Sequence, residues 1–468
     1  MRIRLLTGVT FAALVAGCTV GPDYNRPALA PPDSFRGAPA GTAADTTSLA
    51  DLKWFELFKD PELQKLIKSA LVANYDLRDA VVRVDAARAN LGITRSDQFP
   101  TVEAGANVTT VRSSTSGTFP LPEGFDQTRS FGGISALASF ELDIWGRLRR
   151  ATEAARADLL ASEENRKAVV TTLVSDIAGA YFSLLELDME LEIAKRTLAT
   201  RQSSLQLIRS REQAGIATLV ELRQGEQLVY GAEQLIPNTE QLITLTENQL
   251  SLLRGRSPEP ITRGQVLGDH ELPPTVPAGL PSSLLERRPD IRRAEQNLIA
   301  ANAIIGVAKA AYFPRISLTG LFGFQSDSLS NLFSGPTRVW QFVPQVTQPI
   351  FNAGRLKSNV RLAEAQQQIA LIDYERAIQT AFREVSDALV LYQKNREVRA
   401  KQELLVAALQ DRSRLSYTRY RGGVDTLLNA LDADRDLFTA ELGLAQTKRN
   451  ELLALVQLYR ALGGGWQA

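Results

Sequence analysis

Phe131-Gly132-Gly133-Ile134-Ser135-Ala136-Leu137-Ala138-Ser139-Phe140-Glu141-Leu142-Asp143-Ile144 is the stretch that decides the fold. Ile134, Ala136, Ala138, Phe140, Leu142 and Ile144 alternate with Ser135, Leu137, Ser139, Glu141 and Asp143. Successive side chains of a strand point to opposite faces, so this segment predicts a strand with one apolar and one largely polar side. Ile316 to Gln325 repeats the pattern, with Ile316, Leu318, Phe322 and Phe324 opposite Ser317, Thr319 and Gln325. Val339 to Ile350 sets Trp340, Phe342, Val346 and Ile350 against Gln341, Gln345 and Thr347, whereas Val102 to Arg112 alternates more weakly. Two-faced strands of about 10 residues fit a barrel wall with lipid outside and water inside. The same alternation fits a small soluble sheet packed on helices. Four strands cannot close a membrane barrel, since known barrels begin at about eight, and an open sheet edge is not tolerated in lipid. The membrane reading therefore requires several copies to pool their strands.

Around the strands the chain is helical and written twice. Phe99-Pro100 recurs as Phe313-Pro314, and Asn74-Tyr75-Asp76-Leu77-Arg78 aligns at the same offset with Arg288-Pro289-Asp290-Ile291-Arg292. Gly146-Arg147 matches Gly354-Arg355, Arg211 with Gly215 matches Arg419 with Gly423, and Gly255 matches Gly463, all at a slightly shorter second offset. Two copies of one unit are implied rather than a many-copy solenoid. From Arg355 to Arg421 there is neither Gly nor Pro, and from Arg147 to Gln213 Gly179 alone interrupts. Helices of about 67 residues reach about 100 Å. Leu173, Ile177, Ala180, Leu184, Leu187, Leu191, Ala194 and Leu198 form a coiled-coil seam, and Glu186, Asp188, Glu192 and Lys195 are expected on the solvated side. Pro61 to Ser96 and Ala217 to Arg254 read as shorter helices that together match a long one. Gly215 and Gly423 end the long helices as C-caps, and Thr218 with Glu221 reads as a capping box.

The expected organisation is a signal at 1–17, an N-terminal segment at 18–60, a first repeat at 61–256, a Pro-rich linker at 257–282, a second repeat at 283–463 and a tail at 464–468. Arg2 and Arg4, the apolar run through Leu14 and the small residues after it have the layout of a secretory signal. Val15-Ala16-Gly17-Cys18 resembles the bacterial lipobox, which makes Cys18 the expected lipidation site; an ordinary signal with a chance Cys is the alternative. Across 468 residues, 53 Lys plus Arg balance 52 Asp plus Glu, with one His and one Cys. That balance gives no broad footprint for nucleic acid, and the counts exclude a Cys/His zinc site or a disulfide framework.

Several motifs now carry a family resemblance. Cys18-Thr19-Val20-Gly21-Pro22-Asp23-Tyr24-Asn25-Arg26-Pro27, Trp54-Phe55 with Asp60-Pro61-Glu62-Leu63, Arg288-Pro289-Asp290-Ile291-Arg292 with Ala294-Glu295, Gln348-Pro349-Ile350-Phe351-Asn352-Ala353-Gly354-Arg355, and Leu431-Asp432-Ala433 occur in order. Over essentially the whole mature chain the sequence resembles the lipoprotein branch of the TolC-like outer-membrane efflux proteins, often called NodT type. The resemblance implies a homotrimer, with a twelve-stranded β-barrel in the outer membrane continued by a helical coiled-coil barrel across the periplasm. It implies a passive exit duct for drugs, toxic solutes or metal ions, with no enzymatic activity and no cofactor. The implied partners are a periplasmic adaptor protein and an inner-membrane pump of the resistance-nodulation-division class. No phosphate-binding Gly-rich loop or metal-ligand motif opposes it.

The same resemblance points to a periplasmic gate at Leu428, Asp432 and Arg435, and to adaptor docking at the turns with Gly215, Gly422 and Gly423. Asn429 stands where some relatives carry a second acidic ring, and Glu221 and Gln224 occupy the equivalent places of the first repeat. The plainer reading of Asp432 and Arg435 is a solvated helix face with a local i to i+3 pair. His270 reads as a solvated loop residue, Trp340 and Phe342 as a lipid-facing girdle or sheet packing, and Tyr24, Trp54 and Phe55 as docking the N-terminal segment on the helices, with adaptor contact as their alternative. Two other function classes remain. A lipid-anchored periplasmic coiled-coil tether would share the anchor and heptads without needing strands, and an anchored hydrolase would need a polar cleft the sequence does not display.

Overall fold

The computed structural model describes residues 19–28, 31–32, 34–37, 48–114, 124, 126–270, 277, 279 and 281–466. The helices longer than one turn are α1 (Pro61–Ala73), α2 (Tyr75–Ser96), α3 (Arg147–Gln213), α4 (Leu219–Leu253), α5 (Pro289–Ala310), α6 (Arg355–Arg421) and α7 (Leu427–Ala461). The strands are β1 (Thr101–Arg112), β2 (Thr128–Leu142), β3 (Arg315–Ser326) and β4 (Arg338–Thr347). The chain divides into two compact units, one of Met1–Pro27, Val84–Ala161 and Ala294–Tyr374, the other of Ala28–Arg83, Ser162–Arg293 and Glu375–Ala468.

The first unit holds one antiparallel sheet in the order β1-β2-β3-β4. Its register aligns the alternation of all four strands. Val102 lies opposite Ala138, Ala104 opposite Ala136 and Ala106 opposite Ile134. Ile134 then meets Phe324, Ala136 meets Phe322 and Phe140 meets Leu318. Phe322 meets Trp340, Gly320 meets Phe342 and Ile316 meets Val346. Because cross-strand partners share a face, these residues make one continuous apolar surface. Glu103, Asn107, Ser135, Ser139, Ser317, Thr319, Gln341 and Gln345 fall on the other face. Gly323 belongs to that polar face, and a Cβ there would collide with the carbonyl of Ile134.

The joint from β2 into α3 is built locally. Gly146 turns the chain at φ +76°, and the Asp143 carboxylate accepts the Leu148 and Arg149 N–H groups at 3.0 and 2.9 Å, satisfying donors that a helix start leaves open. Trp145 stacks on Phe313 at 4.6 Å and donates to the Pro314 carbonyl at 2.9 Å. The N-terminal segment lies across this joint: Val20 N–H donates to the Trp145 carbonyl, Asn302 Nδ2 donates to the Pro22 carbonyl, and Tyr24 Oη donates to Glu295. Gly21 passes Gly306 so closely that an added Cβ would sit 2.5 Å from the Gly306 Cα.

The second unit is helical. The predicted helix over Pro61 to Ser96 is broken at Asn74, which has an extended ψ of 134°. Its Oδ1 accepts the Leu77 N–H and its Nδ2 donates to the Leu253 carbonyl, both at 2.9 Å, so one side chain starts α2 and caps the end of α4. α3 and α6 keep the predicted bounds, and the seam residues Leu173, Ile177, Leu184 and Ala194 are buried. One 18-residue window of α3 has the apolar composition of a membrane span, and 56% of it is buried inside the chain, as in a core helix.

Two sequence expectations fail here. Glu186, expected on the solvated side, is 2% exposed, because α7 covers that side and brings Arg449 to within 3.0 Å. His270, expected in solvent, has a side chain only 9% exposed, edge-on to Phe182 at 5.2 Å and 4.0 Å from Asp60. Burial pushes its pKa down, with Asp60 opposing. Trp54 is buried as expected of a docking residue, while Phe55 packs edge-on against it and stays exposed.

Candidate functional site: the helix turns and the two-faced sheet

At the turn joining α3 to α4, Gly215 takes φ +71° and Ile216 N–H reaches back to the Arg211 carbonyl at 2.8 Å. The turn joining α6 to α7 repeats this geometry, with Gly423 at φ +71° and Val424 N–H on the Arg419 carbonyl at 3.1 Å. Gly422 keeps an ordinary φ and donates its N–H to Thr418. Thr218 and Glu221 make the predicted reciprocal capping box at the start of α4. The second turn is closed differently: Asp425 accepts from Thr426 N–H, Asn429 Nδ2 and Arg419, and these bonds hold its carboxyl below the usual range. Asn429, at the place of a second acidic ring, is thus committed within its own chain.

Beyond the turns, Ile216, Leu219, Val220, Val424 and Leu428 are exposed apolar side chains. Behind them Ile208, Leu222, Tyr420, Leu427, Ala430 and Leu431 close a small core. On α7, Leu428 precedes Asp432 by one turn, and Arg435 Nη2 lies 3.3 Å from Asp432 Oδ1. Within one chain, then, the acid has the local i to i+3 partner of the plainer reading, with side chains 37% and 60% exposed.

Sequence reasoning missed the buried electrostatics next to this face. Arg201 Nε meets Asp434 Oδ2 at 2.7 Å with both side chains under a tenth exposed. The same guanidinium donates to the Leu228 carbonyl and lies over the Phe438 ring at 4.6 Å. Burial raises the Asp434 pKa, with Arg201 opposing. Further rungs follow up α3 and α7: Arg196 with Glu441 at 2.8 Å, Glu190 with Gln446 at 3.1 Å and Glu186 with Arg449 at 3.0 Å. Heptad spacing marks apolar seams; it carries no signal for an ion pair whose partners lie more than two hundred residues apart.

Cys18 falls outside the described residues. Thr19, which follows it, packs on Gly146 at the strand-to-helix joint. Trp340 and Phe342 are 74% and 60% exposed on the apolar sheet face. Among the described residues no group of three or more His, Cys, Asp or Glu side chains could hold a metal ion. What this arrangement offers is a sheet with one apolar face, whose edge strands β1 and β4 have no second strand partner among the described residues, and a pair of apolar helix turns.

The outer membrane efflux protein family model matches residues 66–256 and 280–464. The toluene efflux pump outer membrane protein TtgC of Pseudomonas putida is 38% identical, aligned over 100% of this chain and 96% of its own length. Outer membrane protein OprJ of Pseudomonas aeruginosa is 38% identical over 98% of this chain and 96% of its own. The open-state structure of the MtrE outer membrane channel of Neisseria gonorrhoeae superposes with a TM-score of 0.87 at 34% identity, covering 96% of this chain and 99% of that one. A helical chain with a two-faced four-stranded sheet and this breadth of similarity belongs to the outer membrane efflux protein family, as an outer-membrane channel component of efflux transport.

Proposed function

We propose that three copies of the chain close a twelve-stranded barrel, β4 of each pairing with β1 of the next. The observation that carries this reading is the sheet itself, apolar on one face, largely polar on the other, and, among the described residues, with no strand paired to the outer edge of β1 or β4. Lipid tolerates no open edge, and a head-to-tail contact between unlike edges generates a ring when its rotation closes. The bulky Trp340, Phe342 and Phe322 suit the lipid side, and the Gly, Ser and Thr of the other face suit a narrow lumen. The two repeats then act as one channel, with 1–17 removed as a signal, Cys18 lipidated and the 257–282 linker strapping the repeats together.

The duct is passive and non-enzymatic and takes no cofactor. An inner-membrane pump of the resistance-nodulation-division class drives toxic organic solutes through it, in keeping with the toluene pump for which a relative is named. A periplasmic adaptor docks on the turns at Gly215, Gly422 and Gly423, where exposed Ile216, Leu219, Val220 and Val424 supply apolar area. Leu428, Asp432 and Arg435 form the periplasmic gate. Three Asp432 carboxylates around one axis attract cations, and Leu428 adds an apolar constriction. Arg435 exchanges its partner on the same helix for an acid of a neighbouring copy when the ring closes.

Purified protein in planar bilayers tests the reading. It should run as a trimer in mild detergent and conduct ions, and Asp432→Ala should raise conductance and relieve block by multivalent cations. A monomer without conductance would overturn the channel; an unaltered Asp432→Ala channel would remove that residue from the gate.

A further inference from the structure

The strands bring two charged residues to the apolar face of the sheet, and both are arginines. Arg112 ends β1 opposite Thr128, and Arg338 begins β4 opposite Phe324, on the same face as Ala106, Ile134, Phe322 and Trp340. Both stand at the end where β1 turns into β2 and β3 into β4, away from the strand-to-helix joints. The row of Arg338 crosses β1 at Ala106, so Arg112 lies six residues further toward the turns. The acids of the strands, Glu103 and Glu141, fall on the other face. Arg112 donates only to neutral groups, Thr128 Oγ1 at 3.3 Å and Gln127 Oε1 at 2.8 Å. Arg338 is exposed and, among the described residues, its guanidinium has no hydrogen-bond or ion-pair partner. Aromatic rings surround its place in the strand. Trp340 is the next residue on that face, with Phe322 opposite it, and Phe324 lies edge-on to Phe322 at 6.0 Å and to Phe333 at 5.4 Å. Trp340, Phe322 and Phe333 are all exposed.

We infer that Arg338 and Arg112 each bind the phosphate of an anionic lipid headgroup at this rim of the sheet, with acyl chains lying on Trp340, Phe322 and Phe324. The inference rests on the channel reading for placing this face in lipid, and adds to it a lipid of stated charge. A cation on a lipid-facing surface is costly unless its head reaches the boundary of the bilayer or meets an anion. The planar guanidinium fork matches phosphate oxygens two at a time, and aromatic rings settle at the level of the headgroups. Two arginines that face no acid favour a headgroup of net negative charge over a zwitterionic one, whose own ammonium group already neutralises its phosphate. With the helices on the periplasmic side, the rim at the strand turns meets the outer leaflet, so the lipid is one that presents phosphate there.

Native mass spectrometry of the full chain, released from mild detergent after incubation with lipid A or with phosphatidylcholine, tests it. The wild type should retain lipid A in preference to phosphatidylcholine. Arg338→Gln should lower lipid A retention about tenfold, the loss expected when a charge-assisted hydrogen bond is removed, and Arg338→Lys, which keeps the charge without the fork, should fall between. Adding Arg112→Gln to Arg338→Gln should lower retention further. Arg129→Gln removes the same charge from the same end of the sheet but on the opposite face, where Arg129 lies across from Val111, and should leave retention unchanged. Equal retention of lipid A by the wild type and Arg338→Gln, an equal loss in Arg129→Gln, or no preference over phosphatidylcholine overturns the site. The same spectra report the oligomer and so separate the two readings. Retention that depends on Arg338 in a monomer would keep the headgroup site and remove the ring; a trimer whose retention ignores Arg338 would do the reverse.

Discussion

Asp60 carries more of the second unit than its place in a motif suggested. It is fully buried, its Oδ1 caps α1 by accepting the Glu62 and Leu63 N–H groups, and its Oδ2 accepts Tyr181 Oη at 2.9 Å and Gln265 N–H at 3.0 Å. One carboxylate thus ties the start of α1, the middle of α3 and the linker together. Asp60→Ala would lose the cap and strand a buried hydroxyl and amide, costing about 3 kcal/mol, which thermal unfolding in detergent would register. His270 beside it is buried with its Nε2 unpartnered at a cavity of about 260 Å³. Its lowered pKa means that the folded form excludes a proton the unfolded chain accepts, so stability falls as pH drops below the ordinary His value of about 6.5 and levels off below the folded one. His270→Phe should flatten the melting temperature across that window; an unchanged acid limb would assign the loss to other groups. Asp60-Pro61-Glu62-Leu63 could be read as a helix start from its own spacing. Its distant partners could not, nor could the burial of Glu186 and His270, because a local pattern records which face is apolar and not which polar side chain a distant helix will cover.

Elements were more legible than their interactions, since periodicity and caps are local. The absence of breakers between Arg355 and Arg421 gave the bounds of α6, and Gly215 and Gly423 marked both turns through the left-handed conformation they adopt. Gly215→Ala and Gly423→Ala should each cost about 1 kcal/mol or more, without altering the fold by circular dichroism. The strands followed from alternation, β1 least clearly because Ala104 and Ala106 contribute little apolar contrast. What alternation could not supply was the pairing: only the observed register unites Ala136, Phe322 and Trp340 on one surface. That surface is exposed in the single chain, and a charge on it should be tolerated in water but not in lipid. Phe322→Lys is expected to cost about 2–4 kcal/mol if the residue lies near the bilayer midplane. Reduced recovery in the outer-membrane fraction, with a helical spectrum preserved, would show it. The break at Asn74 escaped the sequence reading because Tyr75 to Ser96 continues the helical pattern, and the interruption answers the arrival of Leu253 from α4.

At the scale of the molecule, unlike edges have a consequence for mixing. Variants crippled only in β1 and variants crippled only in β4 can form one sound junction when combined, yet a ring of three needs every junction sound. Co-expression of the two should therefore fail to restore trimers on native gels or conductance in bilayers. Recovery of either would mean that the edges pair with themselves. The rungs of α3 and α7 carry another implication, for how such a chain can change length. Each inserted residue turns everything beyond it by about 100° and advances it about 1.5 Å, so a single insertion between Glu190 and Arg196 would swing Arg196 and Arg201 away from Glu441 and Asp434. Seven residues added at matching points of every helix come back to within about 20° of the original phase. Natural lengthening or shortening of this sleeve should therefore proceed in steps of about 10 Å, its height counted in whole heptads.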